Sequence, residues 1–159
     1  MKQTTLLKLA ASSLALVLAL PVAAAMKEKP ADPAAAAKML DSAASEGGKI
    51  FAHDTFGSHR KIHGMSVTCE TCHLGGGQVA GRMPNGKEIP SLVNAAAIFP
   101  RYNPKFHSVV TLDMQIQHCV KGGLGGRPPA LGSKTMVDMI AYLHSIAKGQ
   151  TIDAGGMPK

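Results

Sequence analysis

An all-α fold of short helices and long loops is what the sequence predicts, and three observations carry that expectation. Two segments late in the chain place apolar residues at helical spacing behind Thr111 and Ser133, residue types that cap helix starts. No segment alternates apolar and polar residues convincingly enough to read as a strand. The material for a self-sufficient core is thin, with 4% aromatic residues and no Trp against 17 glycines and 10 prolines. Something besides side chains has to fill the middle, and a large flat cofactor among short helices would do so.

Taken from the N-terminus, residues 1–25 read as a secretory signal peptide. Lys2 and Lys8 with no acidic residue, an apolar run from Leu9 to Leu20, then Pro21 and Ala23, Ala24 and Ala25 give the charged start, the apolar middle and the small-residue cleavage site. The apolar run is short for crossing hydrocarbon. Cleavage near Ala25 is therefore expected to release a protein outside the cytoplasm, without stable membrane insertion. Residues 26–41 mix Lys, Glu, Pro and an Ala run and read as a flexible leader.

A first helix is expected from Ser42 over SAASEGGKIFAH, anchored by Ile50 and Phe51, with Asp41 and Ser42 as caps and two glycines as its weakness. Residues 54–68 are polar and lead into CETCH, which should open a short helix or turn. Residues 74–110 carry GGG, Pro84, Pro90, Pro100 and Pro104 and read as a long loop wrapping a site, with one helical turn around Leu92 to Ile98. In TLDMQIQHCVK, behind Thr111, residues Leu112, Ile116, Cys119 and Val120 share one face, so Cys119 points inward, and Gly122 and Gly123 stop the helix. The last helix, behind Ser133, repeats Met136, Val137, Ile140, Leu143 and Ile146 until Gly149, and residues 150–159 form a mobile tail.

The chain of 159 residues has room for one small domain, and its formal net charge of +7 stays positive once Lys2 and Lys8 are lost. Scattered cations favour anionic partners. Nucleic acid is not among them, because no basic stripe interleaves with aromatics and export removes the protein from it.

Two of the three cysteines lie in Cys69, Glu70, Thr71, Cys72, His73, the spacing of c-type haem attachment. Two thiols at this separation can add to the two vinyl groups of one haem, and the next residue then presents its imidazole to the iron. A zinc site would need a second ligand pair at regular spacing, and a thiol redox pair belongs at a strand-to-helix junction; neither setting is present in the sequence. One covalent haem c on Cys69 and Cys72, with His73 as axial ligand, is the expectation, and residues 42–149 form its cytochrome c domain.

The sixth ligand is less direct. The usual Met before the last helix is missing from GGRPPALGS, where Arg127 stands before Pro128. Cys119, Met114, Met83, Met136, Met139, His107 and His118, or an open position, are the choices left. Cys119, the odd cysteine of an exported chain, is a free thiol, an intermolecular bridge or a ligand, and a ligand accounts best for its inward face. A thiolate suits ferric iron and holds a lower potential than Met. Met136 and Met139 fit the apolar stripe of the last helix, and His118, next to Cys119 on the helix, points about 100 degrees away from it. His53, His59, His63 and His144 read as surface or packing residues.

Over about Gly47 to Gly149, the segments HGMSVTCETCHLGGGQ, IPSLVNAAAIFPRYNP, IQHC and MVDMIAYLHSIAKG resemble the haem domain of periplasmic thiosulfate dehydrogenases. More distantly they are similar to the cysteine-ligated haem subunit of the sulfur-oxidation complex. The resemblance implies a class I cytochrome c-like fold, with first and last helices crossing near the haem edge, and His73/Cys119 ligation. It also implies a basic residue beside the haem at the position of Arg127, and a second segment at Arg101 and Tyr102 whose following Arg is Asn103 here. The family carries two haems where this chain has one attachment motif, so the resemblance implies a partner to take the second electron of thiosulfate coupling.

Two functions follow. One is a periplasmic electron-transfer cytochrome linked to oxidation of inorganic sulfur compounds, docking a redox partner protein, which a second cytochrome would satisfy. The other is a catalytic haem subunit acting on thiosulfate or a related sulfur anion, with Cys119 reacting and Arg127 and Lys121 holding the anion.

Overall fold

The computed structural model describes residues 32–83 and 85–159. The signal peptide expected at 1–25, and the leader as far as residue 31, lie outside the described residues. Helix α1 spans Pro33–His53 and so begins well before Ser42. Asp32 accepts the backbone N–H of Ala34 at 3.0 Å and Pro33 takes the first helical position. The Ala run behind that start signal propagates the helix, which converts residues 33–41 of the expected leader into structure.

Among the described residues six short strands form three antiparallel hairpins: β1 (Lys61–Ile62) with β2 (Met65–Ser66), β3 (Gly81–Arg82) with β4 (Glu88–Ile89), and β5 (Arg101–Asn103) with β6 (Ser108–Val110). The sequence predicts none of them. Ladders of two or three residues are too short to show a period of two, so only their turns could have announced them. Between them lie α2 (Cys69–Cys72) and α3 (Ala95–Ile98), at the attachment motif and within the turn expected at 92–98.

Helix α4 spans Leu112–His118 and widens into a π-helical segment over Cys119–Leu124, and α5 spans Lys134–Ile146. Ser133 caps α5 as expected, its hydroxyl accepting the N–H of Met136 at 3.3 Å. Thr111 stands at the start of α4, but its hydroxyl turns to the Asp113 carboxylate instead of to the helix backbone.

The core joins Phe51 of α1 to Val67, Ile116, Val120 and Leu124, and to Met136, Met139 and Leu143 of α5. Met136 and Met139 are thus packing residues, 1% and 3% exposed. Helices α1 and α5 meet at Gly47, where a Cβ would overlap the carbonyl oxygen of Asp138 and meet Tyr142 Cβ at 2.8 Å. The glycine that weakens the first helix as a sequence is what lets the two backbones touch. Tyr142 then reaches beyond the crossing, its hydroxyl donating to the Gly76 carbonyl at 2.7 Å and tying α5 to the loop after the motif. The whole is a mainly helical, class I cytochrome c-like arrangement.

The tail expected to be mobile is instead tied down. Asp153 and Gly155 donate to the carbonyls of Ala97 and Ile98 at 2.9 Å each, and the Lys159 carbonyl accepts the N–H of Ser91 at 2.9 Å. Asn94 adds its Nδ2 to the Met157 carbonyl at 2.9 Å. Its turn residues serve the backbone of α3, a long-range fit that composition does not display. Among the described residues no helix is long and apolar enough to cross a membrane.

Gly47→Ala is expected to cost about 1–3 kcal/mol through overpacking against backbone, read as a lower denaturation midpoint of the haem-loaded protein. Gly48→Ala meets only the Tyr142 ring edge, at 3.2 Å, and its loss should be clearly smaller.

Candidate functional site

The attachment motif is organised by its own first turn. Thr68 donates its backbone N–H to the Thr71 hydroxyl at 3.0 Å, and the N–H of His73 returns to the Cys69 carbonyl at 3.0 Å. Glu70 folds outward to accept the N–H of Gly76 at 3.0 Å, which holds the glycine loop. Strand β3 passes so close behind that a Cβ on Gly81 would overlap the Cys72 carbonyl.

These residues open on a cavity of about 470 Å³ whose wall is mainly apolar, within the range of about 300–1,000 Å³ usual for cofactor sites. Cys69, Cys72 and His73 line it together with Cys119, at the junction of α4 and the π segment. The imidazole Nδ1 of His73 lies 3.2 Å from the Pro90 carbonyl oxygen. A carbonyl accepts only, so Nδ1 carries the proton and Nε2 is left with its lone pair for a metal. Burial lowers the pKa of His73, against the opposing pull of the Pro90 hydrogen bond, and favours the neutral ring a ligand needs.

The thiols fit a haem by the same reasoning. Burial, followed by the neighbouring Cys119, Asp54 and Cys72, pushes Cys69 up to about 12. A bare thiolate is disfavoured there, whereas a thioether carries no charge to desolvate. Burial also raises the Cys119 thiol, while the hydrogen bond from Gln115 and the charge of Lys105 pull it down. Gln115 Nε2 donates to Cys119 Sγ at 3.3 Å. A sulfur that already accepts a donor and feels the charge of Lys105 suits bonding to a positive metal centre.

His118 also lines the cavity. Its ring stacks on Phe106 with centroids 3.7 Å apart, and its Nδ1 is buried with no hydrogen-bond partner among the described residues.

Of the remaining ligand choices, Met83 lines the cavity, whereas Met114 and His107 do not. Arg127 and Lys121, expected beside the site, are exposed and absent from its wall. The backbone N–H of Arg127 donates to the Phe56 carbonyl at 2.8 Å. The cations on the cavity wall are Arg101 and Lys105, brought there by the β5–β6 hairpin, while Tyr102 faces out. His53, His59, His63 and His144 are exposed.

Three contributors escape the sequence reading. Gln115 lies one helical turn before Cys119 on the same face, a signal present in the spacing. Pro90 and Arg60 carry no such signal. Arg60 Nη1 reaches the carbonyls of Gly122, at 3.2 Å, and Gly123 across the edge of the cavity, and the Ser58 hydroxyl donates to the Leu124 carbonyl beside it.

A thiosulfate dehydrogenase of Thiomonas intermedia is 33% identical over 90 residues, covering 57% of this chain and 26% of that protein. A thiosulfate dehydrogenase of Allochromatium vinosum is 28% identical over 123 residues, covering 76% of this chain and 44% of that protein. The chain thus spans less than half the length of these relatives. The solved thiosulfate dehydrogenase (TsdBA) from Marichromatium purpuratum, in its as-isolated form, shares the fold with a TM-score of 0.52 at 22% identity, over 84% of this chain and 28% of its own. The SoxA/TsdA cytochrome c domain matches residues 58–152. The chain belongs to that family and is a c-type cytochrome with covalently bound haem c.

Proposed function

We propose that this chain is a periplasmic monohaem cytochrome c of electron transfer linked to oxidation of inorganic sulfur compounds. In this reading Cys69 and Cys72 carry the haem as thioethers, and His73 and Cys119 are its axial ligands. Bound haem supplies one-electron chemistry, its iron alternating between ferric and ferrous. The observation that carries the reading is the hydrogen bond of His73 Nδ1 to Pro90 at 3.2 Å, which sets the tautomer of a histidine that directly follows two spaced cysteines.

Cys119 is favoured for the sixth position by the donor on its sulfur. His118 is engaged with Phe106, and Met136 and Met139 are committed to the core. The cationic surface of the chain would steer an anionic redox partner, a role that a second cytochrome would satisfy. Export follows from the signal peptide read at 1–25.

A second reading, a catalytic haem subunit acting on thiosulfate, is favoured by one observation. Arg101 and Lys105 share the cavity wall with Cys119. Two cations there would hold a sulfur anion by charge-assisted hydrogen bonds beside the sulfur of Cys119. A partner haem protein would then take up the electrons.

Made in a host competent for cytochrome maturation, the denatured polypeptide is expected to weigh one haem more than its amino acids, and a mass without that increment ends the account. The ferric protein should give a low-spin electron paramagnetic resonance spectrum of a histidine/thiolate pair, lost in Cys119→Ala. Stopped-flow mixing with thiosulfate separates the two functions. An electron carrier cycles rapidly with its partner and ignores the anion. In a catalytic subunit thiosulfate reduces the haem, and Arg101→Ala slows this by about tenfold or more, the worth of one charge-assisted hydrogen bond, while Arg127→Ala leaves it unchanged.

A further inference from the structure

We infer that Lys105, Asn103 and Gln115 form a one-way hydrogen-bond relay that ends on the sulfur of Cys119 and sets its donor strength toward the haem iron. The inference rests on the ligation by Cys119 proposed above. Asn103 and Gln115 are positioning residues in it, acting through the sulfur and not on a substrate.

The direction of the relay follows from its first member. A backbone N–H can only donate, and that of Lys105 points to Asn103 Oδ1 at 3.0 Å. The amide of Asn103 is thereby fixed, with Nδ2 turned to Gln115 Oε1 at 3.1 Å. That bond in turn fixes Gln115 and leaves its Nε2 to donate to Cys119 Sγ at 3.3 Å. Amide orientation is ordinarily ambiguous, because oxygen and nitrogen have nearly the same shape. Here each amide is oriented by the partner before it, and a reversal at any point would set two donors or two acceptors face to face.

A sulfur presented with N–H is solvated as an electron-rich acceptor. The opposite amide orientation would offer it a carbonyl and suit a protonated thiol instead. A donor on a ligating sulfur draws density away from the metal, so it weakens donation to the ferric state and raises the reduction potential relative to the same thiolate without one. The scaffold is suited to hold this geometry. Asn103 is paired with Ser108 in the β5–β6 hairpin, and Gln115 sits one turn before Cys119 in α4. The residue type at 103 matters for the same reason. Arg, which the family resemblance places after the Tyr, has donors only and cannot accept the N–H of Lys105.

The test uses the haem-loaded full chain, with potentiometric titration and ferric electron paramagnetic resonance as readouts. Gln115→Leu is expected to lower the midpoint potential and shift the g values of the thiolate-ligated haem. Asn103→Leu should move both in the same direction by less, because Gln115 stays but is free to turn. The double variant should match Gln115→Leu alone, since both substitutions cut one path. Gln117→Leu, which removes a side chain that donates to the Pro129 carbonyl at 2.9 Å, should leave both readouts at wild type. A wild-type thiolate spectrum combined with an unchanged potential in Gln115→Leu overturns the relay and leaves the ligation intact, as do single shifts that simply add in the double variant. A wild-type spectrum without thiolate character removes the ligation and the relay together. Should Gln115→Leu fail to load haem, Asn103→Leu leaves α4 intact and carries the same expectation and the same refutation.

Discussion

The backbone contact between α1 and α5 at Gly47 is the constraint that the rest of the structure obeys. Helix α1 leads through β1 and β2 into the attachment turn, and α5 follows the π segment that begins at Cys119. Where these helices touch therefore determines how far apart the two cysteine-bearing parts of the cavity wall stand. A side chain at the crossing would separate them, and Tyr142, one turn further along α5, would lose its reach to the Gly76 carbonyl. A chain so poor in aromatic residues has few other ways to bring its ends together.

Within that frame the site divides its work between backbone and side chain. On the attachment side the decisive partners are carbonyls, those of Pro90 for His73 and of Cys69 for the turn, and they allow one tautomer and one ring orientation. On the Cys119 side the partners are the Gln115 amide and the charge of Lys105, which act on the sulfur against the upward push of burial on its pKa. Among the described residues, His118 Nδ1 is the buried side-chain atom of this site left without a hydrogen-bond partner.

Much of this was legible in the sequence, and what was not has a common cause. The motif, the inward face of Cys119, the Ser133 cap and the stripe of α5, apart from the exposed Val137, are all set within one or two helical turns, where spacing carries the information. The three hairpins, the docking of the tail on α3, and the arrival of Arg101 and Lys105 at the cavity in place of Arg127 and Lys121 depend on contacts between distant residues. Gly47 and Gly48 read as a weakness of α1 because helix propensity scores a residue against water, and Gly47 faces another backbone.

The stitch made by Arg60 and Ser58 has a bearing on speed as well as on shape. It joins the segment just before the attachment turn to the one just after Cys119, so both edges of the cavity are carried by one cross-braced unit. A centre that gains or loses one electron imposes a sudden change of charge on its surroundings, and every dipole that must rotate in response slows the exchange. Walls pinned in this way would have less to rearrange when that charge changes.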